Sequence, residues 1–264
     1  MRDPDALDAA RVLALALLAV AAAGLLPGSV PPAFRGALVQ LGFVAAPVLY
    51  VRLAGLDARR SHGLGLPPAL SLLLVAVASV ASLWLLKSLA DAQADLLRAW
   101  GLEDLVKGEE EGIRRRVDQV QQRVGLAGIA LFAVIPPLCE EMLFRGVFFR
   151  GLVRGAGPVR ALLYSALLFA AMHQTVVQIS LMTFLGLYFG AVVWLTGSLW
   201  SGVLAHAINN AAVLILTLRY GEAVNDLRAP FWMVALSGLV FIGALASLAL
   251  LRTPEPPSRP APGP

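Results

Sequence analysis

Residues 161–218 read ALLYSALLFAAMHQTVVQISLMTFLGLYFGAVVWLTGSLWSGVLAHAINNAAVLILTL and contain no Asp, Glu, Lys or Arg. A helix that crosses a bilayer needs about 20 mainly apolar residues, because the hydrocarbon core is about 30 Å thick. Three segments of this stretch approach or reach that length, and they begin after Pro158, at Val176 and at Leu199. The stretch therefore predicts three consecutive membrane-spanning helices.

The rest of the chain has the same character. Five further apolar segments are predicted as spans, at about 12–26, 37–51, 69–86, 126–150 and 231–251. Of the 264 residues, 58% are hydrophobic and 14% are charged, against about 25% charged in soluble domains. This composition excludes a disordered protein and a coiled coil, and a single cysteine excludes an internal disulfide. We predict an all-α polytopic membrane bundle of about eight transmembrane helices, as one integral membrane domain over residues 1–252.

Charge predicts the orientation and the partners of the bundle. The net charge of +4 is spread too thinly to indicate nucleic acid, so the expected surroundings are the lipid bilayer. Outside the long connection after the third span, 11 Lys and Arg fall on the predicted side of the N-terminus and 3 on the other. The positive-inside rule then predicts cytoplasmic N- and C-termini.

The lysine-poor composition favours a bacterial inner-membrane protein. Six prolines in residues 253–264 predict a disordered tail.

The connection between the third and fourth spans, residues 88–125, holds 14 charged residues. Leu89, Leu96, Leu97 and Trp100 share one helical face, which predicts amphipathic helices on the membrane surface. Two interpretations remain open for this connector. It is either a solvated link or a lid over a site within the membrane.

Two adjacent carboxylates, Glu140 and Glu141, interrupt the fourth apolar segment. An ionised side chain at the bilayer centre costs at least about 2.5–3.5 kcal/mol, so such residues face the bundle interior and mark functional sites. Arg145 follows Glu141 by four residues on the same helical face, which predicts a structural ion pair. Glu140 points in another direction. It is either a hydrogen-bonded core carboxylic acid or a group available for chemistry.

Two histidines lie in the uncharged stretch, and each shares a helical face with a partner four residues away. His173 follows Phe169, and His206 precedes Asn210. A helical rise of about 1.5 Å per residue puts Glu140, His173 and His206 about 12–20 Å deep from one membrane side. A single histidine in an apolar helix is commonly structural, but three helices that bring polar residues to one level indicate a site.

The chemistry of this residue set allows several functions. A carboxylate and an imidazole can activate water as general base and general acid, while a second His and an Asn amide can donate to an oxyanion. Alternatively, Glu140, His173 and His206 could hold a catalytic Zn²⁺. Buried Glu and His also serve proton relays, so a non-catalytic transporter or peptide-binding scaffold is the rival function.

The motifs Glu140-Glu141-x-x-x-Arg145, Phe169-x-x-x-His173 and His206-x-x-x-Asn210 stand in this order on successive predicted helices. Together they resemble the CPBP family of intramembrane proteases, which includes the CAAX prenyl protease 2 and bacterial lysostaphin-resistance-like proteins. The resemblance covers about residues 126–218.

This resemblance implies an intramembrane endopeptidase. Glu140 would be the catalytic carboxylate, with His173 its partner on the attacking water. His206 and Asn210 would form the oxyanion site, and Glu141, Arg145 and Phe169 would support the motifs. We favour a mechanism that requires no cofactor, with a divalent metal as the alternative. The expected substrate is a peptide bond of a membrane-associated or C-terminally anchored protein.

Overall fold

The computed structural model of the protein describes residues 2–173, 175–221, 223 and 227–252. These residues contain ten α-helices and one π-helix, and no strand. The helices are α1 (Ala6–Gly24), α2 (Pro32–Leu53), α3 (Ala58–His62), α4 (Ala69–Ala99), α5 (Glu103–Glu141), the π-helix (Met142–Phe148), α6 (Phe149–Ala156), α7 (Pro158–Met172), α8 (Ile179–Thr196), α9 (Leu199–Tyr220) and α10 (Phe231–Leu251). The predicted disordered tail, residues 253–264, lies outside the described residues.

Six helices, α1, α2, α4, α8, α9 and α10, are long and apolar enough to cross a membrane. Helix α7 is apolar but shorter, with 15 residues. The predicted fourth span falls on α5, the π-helix and α6, and the side chains of residues 126–132 within it lie outside the described set. Large apolar side chains on the spans are more than half exposed, among them Leu18, Leu41, Leu73, Ile215 and Leu239. The prediction of an all-α membrane bundle is confirmed.

The connector is helical, but its helices are continuous with the neighbouring spans. Helix α4 runs 31 residues to Ala99, and α5 starts at Glu103 and continues for 39 residues. The chain turns at Gly101, whose φ is +76°, a conformation that glycine adopts without strain. No proline separates either apolar span from its charged extension, and the hydrogen-bonded helix continues past the expected membrane boundary.

The loops gather at two ends of the bundle. At one end, Arg154 pairs with Asp3 at 2.7 Å, and the Leu199 amide donates to the Gly63 carbonyl at 2.9 Å. At the other end, the Gln93 amide donates to the Val176 carbonyl at 3.0 Å. The first end therefore joins the N-terminus to the loops after α2, α6 and α8. Helices that cross a membrane in alternating directions place every second loop on the same side, and these loops are grouped in that way.

His62, the third histidine, lies at the end of the bundle that holds the N-terminus. Helix α3 packs against the π-helix, with the buried His62 ring beside Gly146. Burial and the nearby Arg150 guanidinium lower the pKa of His62 to about 4. The imidazole is therefore neutral at pH 7, and it acts here as a packing residue rather than as a charged one.

Aromatic rings form the centre of the bundle. Phe144 contacts Phe43 at 6.2 Å and Phe169 at 5.4 Å between ring centroids, and Phe169 contacts Phe189 at 6.3 Å. All three pairs are edge-to-face, a favourable arrangement of ring quadrupoles. These rings come from four separate elements, α2, the π-helix, α7 and α8. Two of these elements adjoin the predicted site, because the π-helix carries Arg145 and His173 follows α7.

Helices α7 and α8 approach each other closely because Gly186 has no side chain. A Cβ at this position would lie 2.7 Å from the Ala166 Cα and 3.0 Å from its Cβ. Small residues at helix interfaces let two backbones approach in this way within membranes. The contact matters for the site, because α7 and α8 carry Phe169 and Phe189.

We expect Gly186→Ala to lower the free energy of unfolding by about 1–3 kcal/mol, because the new methyl group must push two backbones apart. The control is Gly243→Ala in α10, where a Cβ meets nothing within 4 Å. That change should stabilise by about 0.5–1 kcal/mol through helix propensity alone. Unfolding midpoints in detergent measure both variants, and equal effects would contradict the close approach.

Candidate active site

The two glutamates sit where regular helix ends. Helix α5 continues through Pro136 and Pro137, and the geometry changes later, in the π-helix, where Gly146 leaves the helical region at φ −75° and ψ −123°. The departure from regular α-helix therefore lies after the glutamates and not at the two prolines that precede them. π-helical turns occur frequently at functional sites.

Glu141 points into the protein core and pairs with Arg145. The Arg145 Nη1 atom donates to Glu141 Oε1 at 3.0 Å, and both side chains have 0% exposure. Arg145 Nη2 donates to the Gly186 carbonyl at 3.0 Å, and its guanidinium lies 4.7 Å from the centre of the Phe169 ring. The pair that the sequence predicted is thus held by hydrogen bonds and an aromatic face.

Space around Glu141 is limited by a second glycine. A Cβ at Gly202 of α9 would lie 2.7 Å from Glu141 Oε2 and 2.7 Å from Val193. The sequence motifs did not single out this position. The absence of a side chain at Gly202 lets α9 approach the carboxylate and brings His206 into contact with it.

His206 lies between the two glutamates. Its Nδ1 is 3.1 Å from Glu141 Oε1, and its Nε2 is 3.9 Å from Glu140 Oε2. Because Glu141 is ion-paired and can only accept, the hydrogen belongs to Nδ1 of His206. The ring stacks on Phe189 at 4.6 Å with an interplanar angle of 20°. The Nε2 edge therefore faces Glu140.

His173 lies at the C-terminal end of α7 and is oriented by its own helix. Its Nδ1 is 2.8 Å from the Phe169 carbonyl, and its ring lies 4.6 Å from the Phe169 ring. A carbonyl only accepts hydrogen bonds, so Nδ1 carries the hydrogen. In the neutral ring, the Nε2 lone pair of His173 is then the basic position.

Glu140 and His173 line one cavity of about 220 Å³. The other side chains around it belong to α1, α2, the π-helix and α7, and they are Val20, Val39, Gln40, Phe43, Phe144 and Met172. Gln40 donates from Nε2 to Glu140 Oε1 at 3.1 Å. The sequence analysis missed Gln40, since a single glutamine 100 residues before Glu140 carries no motif.

Two further predictions concern Asn210 as an oxyanion donor and a metal ion bound at the site. Asn210 is half-buried on α9, and among the described residues no hydrogen bond joins it to Glu140, His173 or His206. Within the same part of the chain, no three His, Cys, Asp or Glu side chains are grouped closely enough to hold a metal ion. Glu140, His173 and His206 do not form a three-ligand set in this arrangement.

The connector holds the loop that follows His173. Glu109 accepts hydrogen bonds from Thr175 at 3.1 Å and from Gln178 at 3.0 Å. Gln93 donates to the Val176 carbonyl and contacts the Ser180 hydroxyl. These contacts join residues 66–87 positions apart in the sequence, so the spacing of motifs gives no signal for them. They fix the connector against the end of α7.

Residues 122–212 match the family model of the type II CAAX prenyl endopeptidase Rce1-like proteins. This segment is similar to the Rce1-like family. The match contains Glu140, His173, His206 and Asn210, and it confirms the resemblance to the CPBP and CAAX proteases. A comparison with curated proteins gives no match, and a comparison with solved structures gives none.

The Rce1-like match covers about a third of the chain and contains four of the eight residues that line the cavity, Glu140, Phe144, Met172 and His173. It includes the second half of α5, the π-helix, α6, α7, α8 and the first part of α9. The Rce1-like family is a peptidase family, and its members act on peptide substrates. Six helices among the described residues are able to cross a membrane, so the chain is an integral membrane protein with a segment that resembles a peptidase family.

Proposed function

We propose that the protein is an intramembrane endopeptidase that hydrolyses a peptide bond of a membrane-anchored protein. The observation that carries this proposal is the shared cavity of Glu140 and His173, two titratable residues from different parts of the chain whose surroundings are apolar apart from Gln40. The family match to an endopeptidase supports the same reaction class. It also weighs against the alternative of a transporter or a non-catalytic peptide-binding scaffold.

Activation of water is the first proposed step. Glu140 Oε2 is buried and makes no hydrogen bond to a described group, so this oxygen is available to accept a proton. The His173 Nε2 atom is the second acceptor at the cavity. Glu140 takes a proton from the water while the water oxygen attacks the scissile carbonyl carbon, and His173 orients that water.

The tetrahedral intermediate then needs hydrogen-bond donors. His206 Nε2 lies next to Glu140, and it donates to the oxyanion when it carries a proton. Asn210 follows on the same helix as a second proposed donor, which substrate binding would have to bring into reach. Glu140 finally gives its proton to the leaving nitrogen as the C–N bond breaks. The products are a carboxylate and an amine, with one water consumed.

The location of the cavity indicates the class of substrate. Its walls are mostly apolar and are built by the membrane-spanning helices α1 and α2 together with the family segment. A peptide reaches such a cavity most readily from a chain that is already anchored in the bilayer. We propose substrates cleaved near a membrane anchor, in line with the C-terminal cleavage sites that the CAAX name of the family implies.

The test is a comparison of wild-type protein and Glu140→Gln on a total membrane proteome from the source cells. After incubation in detergent, mapping of new peptide termini should give a set of cleavage sites for the wild type that is absent with the variant. Glutamine has the shape of glutamate but no basic oxygen, so the substitution tests the chemistry rather than the fold.

A second incubation, with a chelator, addresses the metal alternative. We expect the same termini with and without the chelator. New termini that persist in Glu140→Gln would contradict the proposed role of Glu140. The absence of any terminus specific to the wild type would contradict the proposed function.

A further inference from the structure

Gln40 carries an unused hydrogen-bonding group at the cavity. Its Nε2 donates to Glu140 Oε1 at 3.1 Å, while its Oε1 is buried and accepts no hydrogen bond from a described group. The side chain belongs to α2, outside the segment that matches the family model. A buried amide oxygen without a donor is less stable than one that accepts a hydrogen bond.

The assignment of the two amide atoms follows from their surroundings. Glu140 acts as an acceptor in its ionised form, so the NH₂ group of Gln40 faces it and the oxygen points the other way. The remaining lining of the cavity is mainly aliphatic and aromatic, with His173 as the other polar group. The His173 Nδ1 hydrogen is already directed at the Phe169 carbonyl. The described residues thus offer Gln40 Oε1 no donor at the cavity.

A peptide substrate supplies the missing donor. Each peptide bond that enters an apolar cavity brings an N–H group whose burial without an acceptor is costly. The terminal torsion of a glutamine side chain is broad, so its oxygen adjusts to a ligand at little energetic cost. We propose that Gln40 binds the substrate backbone, with Oε1 accepting a peptide N–H beside the scissile bond while Nε2 holds Glu140. This inference rests on the proposed endopeptidase function.

The test uses the cleavage site mapped in the proteome experiment. The probes are a synthetic peptide that spans this site and a set of analogues, each with one backbone N–H replaced by an ester oxygen. At one position next to the scissile bond, the ester should lower kcat/KM of the wild type by about 5- to 150-fold. Gln40→Met should show a similar loss with the all-amide peptide, and no further loss with that ester analogue.

A second variant keeps the test independent of the folding of Gln40→Met. Gln40→Glu retains an acceptor oxygen, so it should keep the sensitivity to the ester at the same position whatever its overall activity. Equal ester effects at every position in wild type and Gln40→Met, or loss of that sensitivity in Gln40→Glu, would overturn the role of Gln40. Either result leaves the proposed function standing, provided that wild type cleaves the peptide and Glu140→Gln does not. A peptide that wild type does not cleave overturns both.

Discussion

Glu140→Gln should lower kcat on a mapped peptide substrate by about 10²–10⁴-fold, the contribution of a positioned general base. The variant keeps the size of the side chain and its contact with Gln40. It loses the ability of Oε2 to accept a proton from water at the cavity that Glu140 shares with His173. Because the substitution changes the chemical step, KM should change much less than kcat. Steady-state kinetics in detergent micelles measures both constants.

The matched control for this prediction is Glu103→Gln on the same helix. Glu103 is exposed and pairs with Lys107 at 2.9 Å, far from the cavity in sequence. This control should leave kcat within about twofold, since exposed ion pairs contribute about 0–1 kcal/mol to stability and none to the chemistry. Equal losses in the two variants, or an active Glu140→Gln, would contradict the assignment of Glu140 as the base.

Arg145→Met should lower the free energy of unfolding by about 3–5 kcal/mol, the cost of leaving a buried carboxylate without its partner. Arg145 and Glu141 are both fully buried, and the guanidinium also donates to the Gly186 carbonyl. Methionine fills the space but supplies no donor to either oxygen. Thermal and denaturant unfolding in detergent measure the change.

Two further variants distinguish the loss of the buried ion pair from a general disturbance of the packing. Glu141→Gln combined with Arg145→Met removes the unpaired charge and should recover part of the lost stability. Arg115→Met breaks an exposed pair with Glu111 of the same i,i+4 spacing on α5 and should cost no more than about 1 kcal/mol. A small effect of Arg145→Met alone would mean that water reaches Glu141.

Much of the fold follows from local sequence patterns. The uncharged stretch of residues 161–218 predicted three spans, and the structure has three helices there, of which α8 and α9 are long and apolar enough to cross a membrane. The limits of α4 and α5 were less predictable, because hydropathy changes at the membrane surface while the backbone helix continues. The boundary of a helix depends on its breakers, and the only sharp break in the connector is the turn at Gly101.

The candidate site was predictable in part. The spacing of Glu141 and Arg145 places them on one helical face, and the observed ion pair follows from that geometry alone. His206 was expected at an oxyanion site, and its contact with Glu141 depends on the close approach of α9 at Gly202. No sequence pattern indicated Gln40, because its hydrogen-bond partner Glu140 is 100 residues away.

The sequence by itself determined the class of the protein, the order of its spans and the residues that carry charge into the membrane. These properties depend on the cost of placing polar groups in hydrocarbon, which each segment meets on its own. Only the tertiary structure decided which polar groups share a cavity. The two glutamates are adjacent in sequence, yet Glu140 faces Gln40 and the cavity while Glu141 faces Arg145 and the core. That division is set by the packing of α2, α7 and α9 around them, which no local pattern encodes.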